Sequence, residues 1–151
     1  MLDNIQPFNF PDKSVFTTKM RVRFNDVNLG NHLDYAALLE MAGNARSQFF
    51  RSNHCTELDI GGVGIITQKL YVEYVGEGHL DDLLEFKIYL TDINGARANM
   101  LFSVKNVDTE KEIARICLGL LFYDYERKKV SRVSSKFLEL AGQEERSVSK
   151  E

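Results

Sequence analysis

Between Val15 and Phe24 the chain alternates, with Met20, Val22 and Phe24 on one side and Lys19, Arg21 and Arg23 on the other. Such period-two alternation predicts a strand with one buried face. A polar turn, Arg23 to Tyr35, interrupts it. From Leu33 the apolar positions change period: Leu33, Leu38, Met41, Ala42, Ala45 and Phe49 recur at helical spacing, and Asp34 or Asn31 suits the cap position. The helix is rich in small residues (Ala36, Ala37, Ala42, Gly43 and Ala45) lying among the apolar positions. Small side chains let a second backbone layer approach, so a central helix is expected. Gly43 costs up to about 1 kcal/mol of helix propensity relative to alanine, which points to close packing or a nearby site.

After a polar connection ending in Gly61-Gly62, period two returns. Leu70, Val72 and Tyr74 alternate with Lys69, Tyr71 and Glu73; Leu84, Phe86, Ile88 and Leu90 alternate with Glu85, Lys87, Tyr89 and Thr91. Asn94-Gly95 signals a tight hairpin before Ala98, Met100, Phe102 and Val104, and Asp108-Thr109-Glu110 marks a further turn. The run Ile113–Tyr123 is apolar in both registers, as in a strand covered on both faces, with a partner subunit as a candidate cover for the second. A short helix is predicted over 134–141, starting at Ser134 or Ser135. One long helix beside a run of strands predicts an α+β domain, with an antiparallel sheet curled around the helix. Residues 1–14, with Pro7 and Pro11, read as an irregular lead-in, 15–142 as the domain, and the charged 143–151 as a mobile tail.

Composition narrows the function classes. A net charge of −3 provides no general field to attract nucleic acid or an anionic membrane. Cys55 and Cys117 have neither zinc-site nor redox-pair spacing, so reduced thiols in the cytoplasm are expected. The start of the chain lacks the basic and apolar regions of a secretory signal, and no stretch approaches the roughly 20 apolar residues of a membrane helix. Histidines, cysteines and carboxylates are not clustered along the chain, so neither a metal nor a tightly bound cofactor is expected.

The turn carries the most specific pattern. Arg23-Phe24 at the strand end, Asp26, His32-Leu33, and Ala45-Arg46 on the helix resemble the acyl-CoA thioesterases of the 4-hydroxybenzoyl-CoA thioesterase type, which have the hotdog fold. Gly61-Gly62-Val63-Gly64 leading into Val72-Glu73-Tyr74, and Asp81-Asp82-Leu83-Leu84-Glu85, resemble that family's second and third strands. The likeness spans about residues 15 to 130. It implies hydrolysis of an acyl-CoA or acyl-carrier thioester by a homodimer or homotetramer with sites between subunits. This chain departs from the pattern in three places. Asn28 stands where the family often keeps a catalytic aspartate, Asn31 where a glycine precedes the histidine, and Asn44 where the helix carries glutamate.

Thioester hydrolysis needs an activated water and a stabilised oxyanion. The free N–H groups at the start of a helix near Leu33–Tyr35 suit the thioester oxygen. Asp34 is both a candidate base and a candidate N-cap. Asp26 suits a structural carboxylate, and His32 is a candidate base, acid or donor. Asn28 has no usable basicity and can only orient water or a carbonyl. Glu40 falls on the polar side of the helix, and Arg46 suits an ion pair. Two other readings stay open: a non-catalytic acyl-thioester binding protein, favoured by Asn28, and a hydroxyacyl-thioester dehydratase using His32 with Asp34.

Overall fold

The computed structural model describes residues 8–143 and 145–147; the remainder of the lead-in (1–7) and of the tail (144 and 148–151) lies outside the described residues. Strands β1 (Phe16–Arg21), β2 (Gly64–Tyr74), β3 (Leu83–Asn94), β4 (Arg97–Asn106) and β5 (Glu112–Asp124) form one sheet with two-residue strands β6 (Lys129–Val130) and β7 (Arg146–Ser147). The order is β2-β5-β4-β3-β1-β7, with β6 on β5. All pairings are antiparallel except that of β7 with β1. Helix α1 (Tyr35–Ser52) lies on one face, and helix α2 (Ser135–Gly142) follows β6. The sheet wraps a central helix, as the resemblance implied.

Why α1 sits there follows from its apolar stripe. Ala37, Leu38, Met41, Ala42, Ala45, Phe49 and Phe50 are buried, and the facing rows Leu84, Phe86, Ile88 of β3 and Met100, Phe102, Val104 of β4 are fully buried. Phe49 meets Phe16 of β1 at 5.7 Å between ring centres. Thr18 of β1 donates a 2.7 Å hydrogen bond to Gln48 Oε1, so the polar groups crossing this interface are paired. Small residues at 37, 42 and 45 permit the close approach. Gly43 does not take part: a Cβ there would meet nothing within 4 Å.

Three local readings needed correction. The first strand ends at Arg21; Phe24 enters a single 3-10 turn (Phe24–Asp26) and is 79% exposed. The β5 alternation is interrupted, and its second face is only partly buried within one chain, with Leu121 and Tyr123 half-buried. A bulge at Ile113 lets Ile113 join Ala114, Ile116, Leu120 and Phe122 in the core, while Cys117 is buried on the opposite face beside Leu101. There Tyr71, Cys117, Leu101 and Tyr89 stand in one cross-strand row, and Phe10 packs edge-on against Tyr89 at 5.0 Å. Finally, Arg146–Ser147, within the stretch read as a tail, pair with β1.

Among the described residues, no helix is long and apolar enough to cross a membrane.

Candidate active site

The turn between β1 and α1 is built by its own side chains. Arg23 donates through its backbone N and Nε to Asp26 Oδ2 at 2.8 and 3.1 Å, and through Nη2 to Oδ1 at 3.1 Å. The Asp26 side chain is only 2% exposed, and these bonds from Arg23 hold its carboxyl below the ordinary carboxylate value. The carbonyl of Asp26 accepts the backbone N–H of Asp34 at 2.8 Å, so the buried aspartate also fixes where α1 begins. Asn28 Oδ1 accepts N–H groups from Gly30 (3.0 Å) and His32 (3.2 Å). Asn31 adopts a left-handed φ of 62°, a conformation that glycine and asparagine tolerate. That is why asparagine can occupy the place where the related pattern has glycine.

Asp34 caps α1. Its Oδ2 accepts the Ala36 N–H at 3.0 Å, and its carbonyl accepts that of Leu38 at 2.9 Å. Of the first helical amides, those of Tyr35 and Ala37 have no protein partner among the described residues. Tyr74, at the end of β2, lies in the field of Asp34. Burial first, then the neighbouring charges of Asp34 and Tyr35, push its phenol up to about 12. It therefore remains a protonated donor at neutral pH.

His32 makes its side-chain contacts with the β2–β3 loop. Its backbone pairs with His79 in an isolated bridge, and its Nε2 lies 3.1 Å from Glu77 Oε1. Clustering of histidine and carboxylate, not expected from the sequence, thus occurs through folding: His32, Glu77 and His79 present ligand atoms that all lie within 4.8 Å of one another. Glu77-Gly78-His79 offered a period-two signal that both side chains share a face, but nothing local says that His32 stands opposite. Sequence reasoning passed over Glu77 and His79 as candidates, and it read Tyr74 as a packing residue of the second strand.

Two clefts flank the turn. One, of about 320 Å³, is lined by Met20, Arg23, Asp26, Glu40, Met41 and Asn44. The other, of about 710 Å³, has Glu77, His79, Asp82 and Lys111 on its walls. Arg46 stands apart, pairing with Glu57 at 3.3 Å and reaching Thr67 Oγ1 at 3.2 Å. Unpaired amides at a helix start, a carboxylate on the same turn and a protonated phenol can together polarise a carbonyl and orient a water.

Known proteins share this fold. Residues 22–140 match the model of the thioesterase-like superfamily. The acyl-CoA thioester hydrolase YbgC of Escherichia coli is 26% identical over 102 residues, covering 66% of this chain and 75% of that protein. Slr0204 of Synechocystis, a 1,4-dihydroxy-2-naphthoyl-CoA thioesterase, superposes with a TM-score of 0.75 at 15% identity, covering 83% of this chain and 94% of its own. SAV2348 of Staphylococcus aureus, solved in complex with CoA, gives 0.76 at 14% identity, covering 95% and 93%. The structural likeness establishes the hotdog fold. Together with a family match that runs from the end of β1 into α2, it shows that this chain belongs to the thioesterase-like superfamily.

Proposed function

We propose that this protein is an acyl-CoA thioesterase, hydrolysing the thioester to a free acid and coenzyme A by attack of an activated water. The observation that carries the reading is the start of α1, where Asp34 caps the helix while the amides of Tyr35 and Ala37 have no partner among the described residues. The thioester oxygen binds these amides, which stabilise the negative charge that develops as water attacks. Asp34 takes the proton of that water through the oxygen not bound to Ala36. The tetrahedral intermediate then collapses, the C–S bond breaks, and the departing thiolate recovers the proton. Tyr74 is a second donor toward the oxyanion, and His32 orients the chain around the leaving group. Asp26 and Asn28 act through the turn they build. The likeness to a CoA-bound structure and to an acyl-CoA thioester hydrolase supports coenzyme A as the carrier.

A single domain over 15–142, a cytoplasmic location and a homo-oligomer belong to the same proposal. Oligomerisation is supported by β2, an edge strand that exposes Ile66, Leu70 and Tyr74. Exposed Phe24, Leu29, Tyr35 and Val75 surround the same turn and suit a site completed by a second subunit.

The test is thiol release from a panel of acyl-CoA substrates, followed colorimetrically. Activity should fall more than about tenfold in Asp34→Asn and in His32→Ala. Activity surviving both changes refutes the site assignment. No release from any chain length, with binding still seen by thermal shift, refutes the enzyme and favours a non-catalytic acyl-thioester binder, the reading that Asn28's commitment to the turn supports. A dehydratase is less well supported, because His32 pairs with Glu77 rather than with Asp34.

A further inference from the structure

Two histidines and a glutamate, far apart in the chain, meet where the β1–α1 turn touches the β2–β3 loop. The backbone fixes the meeting. His32 and His79 face each other in an antiparallel bridge, and the Leu33 N–H donates to the Gly78 carbonyl at 2.7 Å. Directly opposed residues hold their Cβ atoms about 5 Å apart on one side of the ladder. Glu77, two residues before His79, points to that same side. Both imidazoles turn Nε2 to a single oxygen: His32 Nε2 lies 3.1 Å and His79 Nε2 3.3 Å from Glu77 Oε1. The His79 backbone is held in turn by Asp82, whose Oδ2 accepts its N–H at 2.9 Å and lies 3.9 Å from its Nδ1.

We propose that His32, Glu77 and His79 form a binding site for a divalent transition-metal ion of the zinc type. Tetrahedral coordination with bonds of about 2.0–2.1 Å separates neighbouring ligand atoms by about 3.4 Å. Two of the three separations already match, and the third closes by small rotations of side chains that are 49%, 67% and 42% exposed at His32, Glu77 and His79. Two imidazoles with one carboxylate favour zinc, cobalt or nickel over calcium or magnesium, which take oxygen ligands. Three protein ligands leave the fourth position to solvent. Asp82 is placed to orient the His79 ring from behind, as carboxylates do for metal-bound histidines. The ion ties the turn to the β2–β3 loop. Where the thioesterase reading holds, it also fixes the ring of His32, the residue that orients the leaving-group side of the substrate, making the site a metal-responsive brake.

The test is titration of chelator-treated full-length protein with zinc chloride by calorimetry, and with cobalt chloride by visible absorption, both without substrate. One saturable site is expected, with affinity reduced at least about tenfold in Glu77→Gln and in His79→Ala. The protein has three histidines, so the wild type carries its own control. Zinc should shift the NMR ring signals of His32 and His79 and leave those of His54 unmoved. No saturable binding, binding unchanged in both variants, or a shift confined to His54 overturns the proposal. Protein that binds zinc through these residues yet hydrolyses no thioester refutes the thioesterase reading alone.

Discussion

Asp26 illustrates how one side chain sets the geometry of a turn. It is almost wholly buried, receives three hydrogen bonds from Arg23, and its carbonyl holds the helix start. Asp26→Asn keeps the shape but loses the charge-assisted bonds. Because Arg23 is solvent-exposed, the expected loss is modest, about 1–2 kcal/mol at neutral pH by urea denaturation. The pH dependence has a definite sign. Pairing lowers the folded-state pKa of Asp26 below its ordinary 3.8. Its contribution is therefore complete above that value and disappears as pH falls through the lower folded value. Stability curves of wild type and variant should converge only in strong acid; a gap that closes near neutrality contradicts the pairing. Residue types at the turn were legible as polar and structured, but the division of labour was not. Asp26 suited a structural carboxylate and Asn28 an orienting amide, but which donors their oxygens hold, Arg23 for one and the Gly30 and His32 amides for the other, came only from the fold.

At the scale of elements, periodicity located the five long strands, α1 and α2, because burial of one face forces the period. It failed where a neighbour decides the outcome. Phe24 continued the alternation on paper, yet the pairing of β1 with β3 stops at Arg21↔Leu83, and the 3-10 turn that Asp26 closes sends Phe24 outward. Gly76 is a second such place. It follows β2, its N–H donates to the Ile113 carbonyl, and a Cβ there would strike the carbonyl oxygen of Glu112. Gly76→Ala must push the β2–β3 loop off β5. We expect it to destabilise the fold by about 1–3 kcal/mol, read by thermal or chemical unfolding. An unchanged midpoint means that β5 yields at no cost, contrary to a tightly packed bulge.

For the whole molecule, the sheet leaves one long flank open. β2 pairs with β5 on one side only and carries Ile66, Leu70 and Tyr74 into solvent. Unpaired edges with apolar side chains are templates for association. Leu70→Glu, which places like charges against each other in a symmetric pair, is expected to convert the proposed oligomer to monomer by light scattering. If the wild type is itself monomeric, the proposed subunit-completed site is excluded. On the other face Cys117 and Leu101 are already buried within one chain. Burial there pushes the Cys117 thiol up to about 11, which keeps it protonated and unreactive toward the reagents of a thiol-release assay.

The sequence by itself determined the layers: which runs are strands, which is the central helix, and which turn lies at its entrance. Those follow from short-range periodicity and capping chemistry, which depend on residues close along the chain. Only the tertiary structure decided which groups meet. That Tyr74 falls in the field of Asp34, and that His32 faces Glu77 and His79 instead of its neighbour Asp34, depends on the register between the turn and the β2–β3 loop. The long-range backbone pairing of Leu33 with Gly78 sets that register, and it leaves no trace in local spacing.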